Sequence, residues 1–187
     1  ACAGRGGFPG SPNLPKPPHF KPRAKSVISL FMSGGVSHVD TFDYKPALEK
    51  YHGTPLEGKG EIRVRQGFPG PLMKSPYRFK QYGQCGAWVS ELFPHVAKIV
   101  DDLAFIHSCQ GRSNDHVLAH YEWNTGSILM GFPSVGSWVT YGLGSENQNL
   151  PGFVVIYDTR GGPFSGPANW SAGFLPAAYQ GTVFRSA

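Results

Sequence analysis

One imidazole and two carboxylates fall within six residues at His38, Asp40 and Asp43, in the run Ser33-Gly34-Gly35-Val36-Ser37-His38-Val39-Asp40-Thr41-Phe42-Asp43. Side chains of these types ligate hard or borderline divalent cations, so zinc, calcium, magnesium or manganese are the ions the set would take. The glycine pair at the start of the run can turn backbone N–H groups toward an anion. A competing reading makes Asp40 and Asp43 caps of local turns and gives His38 a hydrogen bond to a neighbour. Residue chemistry leaves both open.

A second cluster spans Ser108–His120. His116 and His120 stand at i,i+4, the spacing that puts two histidines on one helix face. Val117 occupies the place where a zinc peptidase carries its glutamate. Ser113, Asn114 and Asp115 open the helix, whose N-terminus can hold phosphate or sulfate. Ser113 is then the candidate nucleophilic hydroxyl and Arg112 the candidate clamp on the anion. His116 joins His38, Asp40 and Asp43 as a candidate metal ligand, and His120 would orient it or a water. The alternative is a capped helix with two partly buried histidines. Cys109, ahead of Arg112, is read as a packing residue rather than an activated nucleophile.

Short apolar runs must position both clusters. Ser26–Met32 (SVISLFM), Leu103–His107 (LAFIH) and Phe153–Tyr157 (FVVIY) read as buried strands bounded by turn signals. Between them, helices are expected from Ser90, with Leu92, Val96, Ile99 and Val100 on one face, over Ser113–Asn124, and over Ser134–Leu143. Ser113 or Asn114 is the expected N-cap of the second, and glycine follows the last two. One or two turns are expected at Pro46–Tyr51, and a long loop over 52–86 with a hairpin near Ile62–Val64. Strands alternating with helices predict an α/β fold with a parallel sheet. His38 and His116 would both follow C-terminal strand ends, where open α/β sheets bind ligands.

Residues 1–24 are proline-rich without an acidic residue, and predict an extended or disordered leader before a domain over 25–187. No apolar run approaches the roughly 20 residues of a membrane span. Residues 1–80 carry 13 Lys/Arg against 5 Asp/Glu, whereas 81–187 carry 4 against 7. The basic half suits anionic partners, but no nucleic-acid-binding signature accompanies it. Cys2, Cys85 and Cys109 are too few and too far apart for a disulfide framework. A Cys85–Cys109 bridge or two buried thiols are the readings that remain. The start, Ala1 with no signal-like segment, reads as the region behind a removed export signal. Three strands and an unclosed end at Ser186-Ala187 read as part of a longer protein.

The phrases LFMSGGVSHVDTFDYKP, SPYRFKQYGQCG, VSELFPHVAKIVDDLAFIHS and PSVGSWVTYGLGSENQNLPGFVVI resemble the bacterial domain-of-unknown-function family 1501, over residues 19–187. The resemblance implies an exported protein about twice this length, with a three-layer α/β/α core of the alkaline-phosphatase/sulfatase-like type, here its N-terminal half. It also implies one or two divalent metals on Asp and His, a Ser, Thr or Cys nucleophile at a helix N-terminus, and metal-dependent hydrolysis of phosphate or sulfate esters. The expected partner is an anionic ester or a sulfated polysaccharide. The alternative is a non-catalytic exported protein that engages anionic polymers or a surface partner. Active sulfatases resemble Cys-x-Pro-Ser-Arg at the nucleophile; Cys109-Gln110-Gly111-Arg112 is one residue shorter and lacks the proline. With several ligands expected from the other half, this portion alone is not expected to be catalytically competent.

Overall fold

The computed structural model describes residues 11–56, 70–158 and 161–184. Cys2 and the hairpin expected near Ile62–Val64 lie outside them. The fold is mixed α/β with small sheets, and the chain forms two compact units, Gly35–Cys109 and Ala1–Gly34 with Gln110–Ala187.

The continuous unit is built on a hairpin. β1 (Phe79–Tyr82) pairs antiparallel with β2 (Ala87–Ser90), with Phe79 opposite Ser90 and Tyr82 opposite Ala87. Val89 and Ser90 at the end of β2 are buried, Val89 wholly so. Val89, Ala97 and Val100 form the core, with Phe42, Tyr82, Ala87, Phe93 and Phe105 packed around it. The helix expected from Ser90 is instead the end of β2, followed by 3-10 turns over Val96–Asp102 that kink at Ile99. Pro94 explains the shift, because its ring and missing N–H oppose a helix running through 90–100. α1 (Pro46–Lys50) starts on its proline as expected.

The other unit holds two longer helices. α2 (His116–Thr125) begins at Asp115, whose carboxylate accepts the N–H groups of Val117 and Leu118, and ends at Gly126 in the left-handed conformation. Asp115, rather than Ser113 or Asn114, is therefore the cap. α3 (Val135–Leu143) follows N-cap Ser134. β3 (Val154–Ile156) lies in the third predicted strand and pairs in parallel with β4 (Thr182–Phe184). Tyr121, Pro133, Trp170, Ala172 and Tyr179 are among the buried apolar residues here.

Among the described residues, the other two predicted strands form no ladder. Ser26–Met32 and Leu103–His107 lack a strand assignment, and Ile28, Leu30 and Ile106 are more than three-quarters exposed. The observed ladders have two strands each, so the expected single three-stranded sheet is replaced by an antiparallel pair and a parallel pair. An apolar run becomes a buried strand only when partners take up its N–H and C=O groups. Within 11–24 the chain turns at Ser11–Leu14 and is tied down: Lys16 N–H donates to the Leu143 carbonyl at 2.9 Å, and Tyr179 Oη donates to the Pro12 carbonyl at 3.2 Å.

Candidate functional site

The loop carrying His38, Asp40 and Asp43 is held by its own turn and by the core beneath it. His38–Asp40 is a 3-10 turn, and the N–H groups of Phe42 and Asp43 both donate to the His38 carbonyl, at 3.2 and 2.9 Å. Buried Thr41 donates its hydroxyl to the Ser37 carbonyl at 2.9 Å, and the Ser90 N–H of β2 donates to the Thr41 carbonyl at 2.8 Å. Phe42 packs against Phe93 and Phe105, with ring centroids 5.0 and 5.5 Å away. Phe42 thus anchors its neighbour Asp43.

Asp43 is the hub. Its Oδ2 lies 3.1 Å from His38 Nδ1, its Oδ1 lies 2.9 Å from Lys45 Nζ, and His107 Nδ1 stands 3.9 Å from Oδ1. Its side chain is 13% exposed, while those of His38, Lys45 and His107 reach solvent. The Lys45 hydrogen bond, then that of His38, holds the Asp43 carboxyl below its ordinary pKa against the opposing effect of burial. Asp40 turns to other partners: Ser37 Oγ donates to it at 2.6 Å, and this bond, then one from Ser75, lowers its pKa.

A bond from His38 Nδ1–H to Asp43 fixes the neutral tautomer and leaves the Nε2 lone pair pointing away from the carboxylate. That arrangement can accept a proton or ligate an ion through Nε2. A divalent cation does not fit on Asp43, whose two oxygens already face an ammonium and an imidazole N–H. Among the described residues, no three or more His, Cys, Asp or Glu side chains are arranged to hold a metal ion.

Arg112, Ser113 and His116 lie in the other unit. The Arg112 N–H donates to Glu122 Oε2 at 2.8 Å and its Nε lies 3.5 Å from Oε1, so a carboxylate already occupies the candidate anion clamp. Ser113 lies two residues ahead of the helix cap, and its Oγ accepts the Asp115 N–H at 3.0 Å. His116 is exposed and stacks on Phe164 at 5.4 Å. His120 is buried, and its Nε2 accepts the Gly34 N–H at 2.9 Å. One N–H of the glycine pair is thereby committed to a histidine rather than to an anion. Burial, then the neighbouring His116, lowers the His120 pKa and keeps it neutral. Its Nδ1 makes no well-formed hydrogen bond, although the Phe164 backbone lies close by.

Cys85 and Cys109 are free and exposed, so neither the bridge nor the pair of buried thiols is present. Cys85 sits in the β1–β2 turn, whose N–H groups at Gln84 and Cys85 donate to Asp101, leaving the thiol outside the core. Sequence reading missed Lys45 and His107. Lys45 stands two residues from Asp43 and was within reach of a charge-pair argument, whereas His107 is remote in sequence.

No helix among the described residues is long and apolar enough to cross a membrane. No curated protein and no solved structure matches the chain. Residues 24–187 match the family described as Protein of unknown function (DUF1501), and the chain belongs to that family.

Proposed function

We propose that the protein is an exported hydrolase of phosphate or sulfate esters in which His38 is the working imidazole. The observation that carries this reading is the 3.1 Å contact between His38 Nδ1 and Asp43 Oδ2 beside an exposed ring. Asp43 holds the imidazole in one tautomer and stabilises the imidazolium that forms when Nε2 takes a proton from an attacking water or hydroxyl. The same Nε2 then returns the proton to the leaving oxygen. The family resemblance adds a divalent cation as Lewis acid, and none of the steps above passes through it.

The test is turnover of aryl phosphates and aryl sulfates by the protein, with and without chelator. His38→Ala should lower kcat by on the order of 10²-fold or more, the usual worth of a positioned acid–base group. Unchanged turnover in this variant overturns the reading. Loss on chelation identifies the cation-assisted form.

A second reading, a non-catalytic protein bound to an anionic polymer, is favoured by His19, Lys21, Arg23 and Lys25 lying exposed in a stretch with no acidic residue before Asp40. Salt-sensitive retention on a sulfated polysaccharide, lost on replacing Lys21, Arg23 and Lys25 by Gln, would support it.

A further inference from the structure

His107 has no part in the acid–base reading, and a cleft lies beside it. The cleft has a volume of about 220 Å³ and is lined by Phe42, Asp43, Tyr44, Trp88, Phe105 and His107, with Gly86 and Ala87. Its aromatic walls are mutually braced. Tyr44 and Trp88 lie 4.5 Å apart between ring centroids, Phe105 lies 5.5 Å from Phe42, and the His107 ring is stacked on Phe105 at 5.9 Å with 13° between planes. Phe42 and Phe105 also pack on the Val89–Val100 core, so the wall is part of the folded scaffold.

The two histidines meet the same carboxylate differently. His38 Nδ1 is within hydrogen-bond distance of Asp43 at 3.1 Å; His107 Nδ1, at 3.9 Å, is not. Asp43 therefore locks His38 as an acceptor at Nε2 but leaves the tautomer of His107 free. In its Nε2–H form, a neutral His107 can donate to an oxyanion at the cleft.

We propose that this cleft binds the aromatic ring of a small aryl phosphate or sulfate monoester, with His107 donating an N–H to the ester oxyanion. The inference rests on the ester-hydrolase reading and names its substrate class. Size and wall chemistry carry it. An apolar cavity of about 150 Å³ holds a benzene ring, so this cleft has room for one ring and the start of its oxyanion, but not for an extended polymer. The rings of Phe42, Tyr44, Trp88 and Phe105 offer an aryl group aromatic faces to pack on, while the imidazole of His107 stands at the same cleft for the ester group.

Calorimetric titration of the full chain with phenyl phosphate, inorganic phosphate and glucose 6-phosphate tests this. Phenyl phosphate should bind at least about 10-fold more tightly than either of the others, since burying one ring against aromatic walls is worth more than the 1.4 kcal/mol that a factor of ten requires. Trp88→Ala should erase that advantage and leave phosphate affinity unchanged. His107→Gln should weaken phenyl phosphate and inorganic phosphate alike. Phe105→Leu, which keeps apolar bulk under the cleft, guards against misfolding: it should reduce the aryl preference while the circular dichroism spectrum stays native. Equal affinity for phenyl phosphate and phosphate, a preference that survives both wall substitutions, or no binding of any ligand overturns the proposal. Selective aryl binding without turnover leaves it standing and sinks the hydrolase reading instead.

Discussion

Asp43 carries more interactions than its spacing from His38 and Asp40 implies, and the order of their strengths sets its behaviour with pH. Lys45 first and His38 after it favour the ionised form, so the folded-state pKa lies below the unfolded one. A carboxylate shifted in that direction stabilises the fold fully above the unfolded value and loses that contribution as pH falls through the folded value. The window therefore lies at and below about pH 4, near the ordinary aspartate pKa. Because Lys45 is close to half exposed, the pair is worth no more than about 1 kcal/mol. Asp43→Asn should lower the melting temperature modestly at neutral pH, with the gap to wild type closing as acid is added below about pH 4. Its turnover should fall by on the order of 10²-fold or more, because an amide oxygen holds the His38 tautomer poorly and cannot offset an imidazolium. A gap that stays constant from neutral to acid pH would show that the carboxylate's charge contributes nothing to stability.

At the scale of elements, α1, α2, α3 and the third strand were readable because local signals alone define them: a proline at a helix start, helical spacing, a glycine at the α2 end, a β-branched run. The β1–β2 hairpin was not, since four residues are a short strand signal and the pairing depends on the turn between them. The candidate site divides the same way. His38, Asp40 and Asp43 are neighbours in sequence and were legible together. His107 reaches Asp43 only because Phe105 packs on Phe42, a tertiary contact that no local pattern encodes. The α2 cap was misplaced by one or two positions because Ser113, Asn114 and Asp115 are all good caps, and only geometry chooses among them. Asp115→Ala should therefore cost about 1 kcal/mol in denaturant unfolding, by freeing the Val117 and Leu118 N–H groups. Asn114→Ala should change stability by less than about 0.5 kcal/mol. A larger loss from Asn114→Ala than from Asp115→Ala would return the cap to Asn114.

Across the whole molecule, apolar side chains are unevenly placed: Ile28, Leu30 and Ile106 stand in solvent while a small set of residues forms each core. The unit Gly35–Cys109 nonetheless has a self-contained core, because Val89, Ala97, Val100 and the five residues packed around them all fall within it. Its polar ties are also internal, including the Ser90–Thr41 backbone bond and the Asp101 bonds to Gln84 and Cys85. A continuous segment with its own core and its own hydrogen bonds should fold when excised. Its size keeps the margin small, and a single core of that order supplies no more than about 5 kcal/mol. Residues 35–109 expressed alone should thus unfold cooperatively in urea at low midpoint. Trp88, the one tryptophan of the segment, reports the transition through its packing on Tyr44. Val100→Ala removes two fully buried methyl groups at a cost of roughly 2 kcal/mol with the cavity included. In the excised unit that loss should abolish most of the folded population, whereas Lys98→Ala, on an exposed position of the same 3-10 segment, should leave it unchanged. A non-cooperative, coil-like segment would mean that the core around Val89 depends on the rest of the chain, and that the Asp43 site cannot form without it.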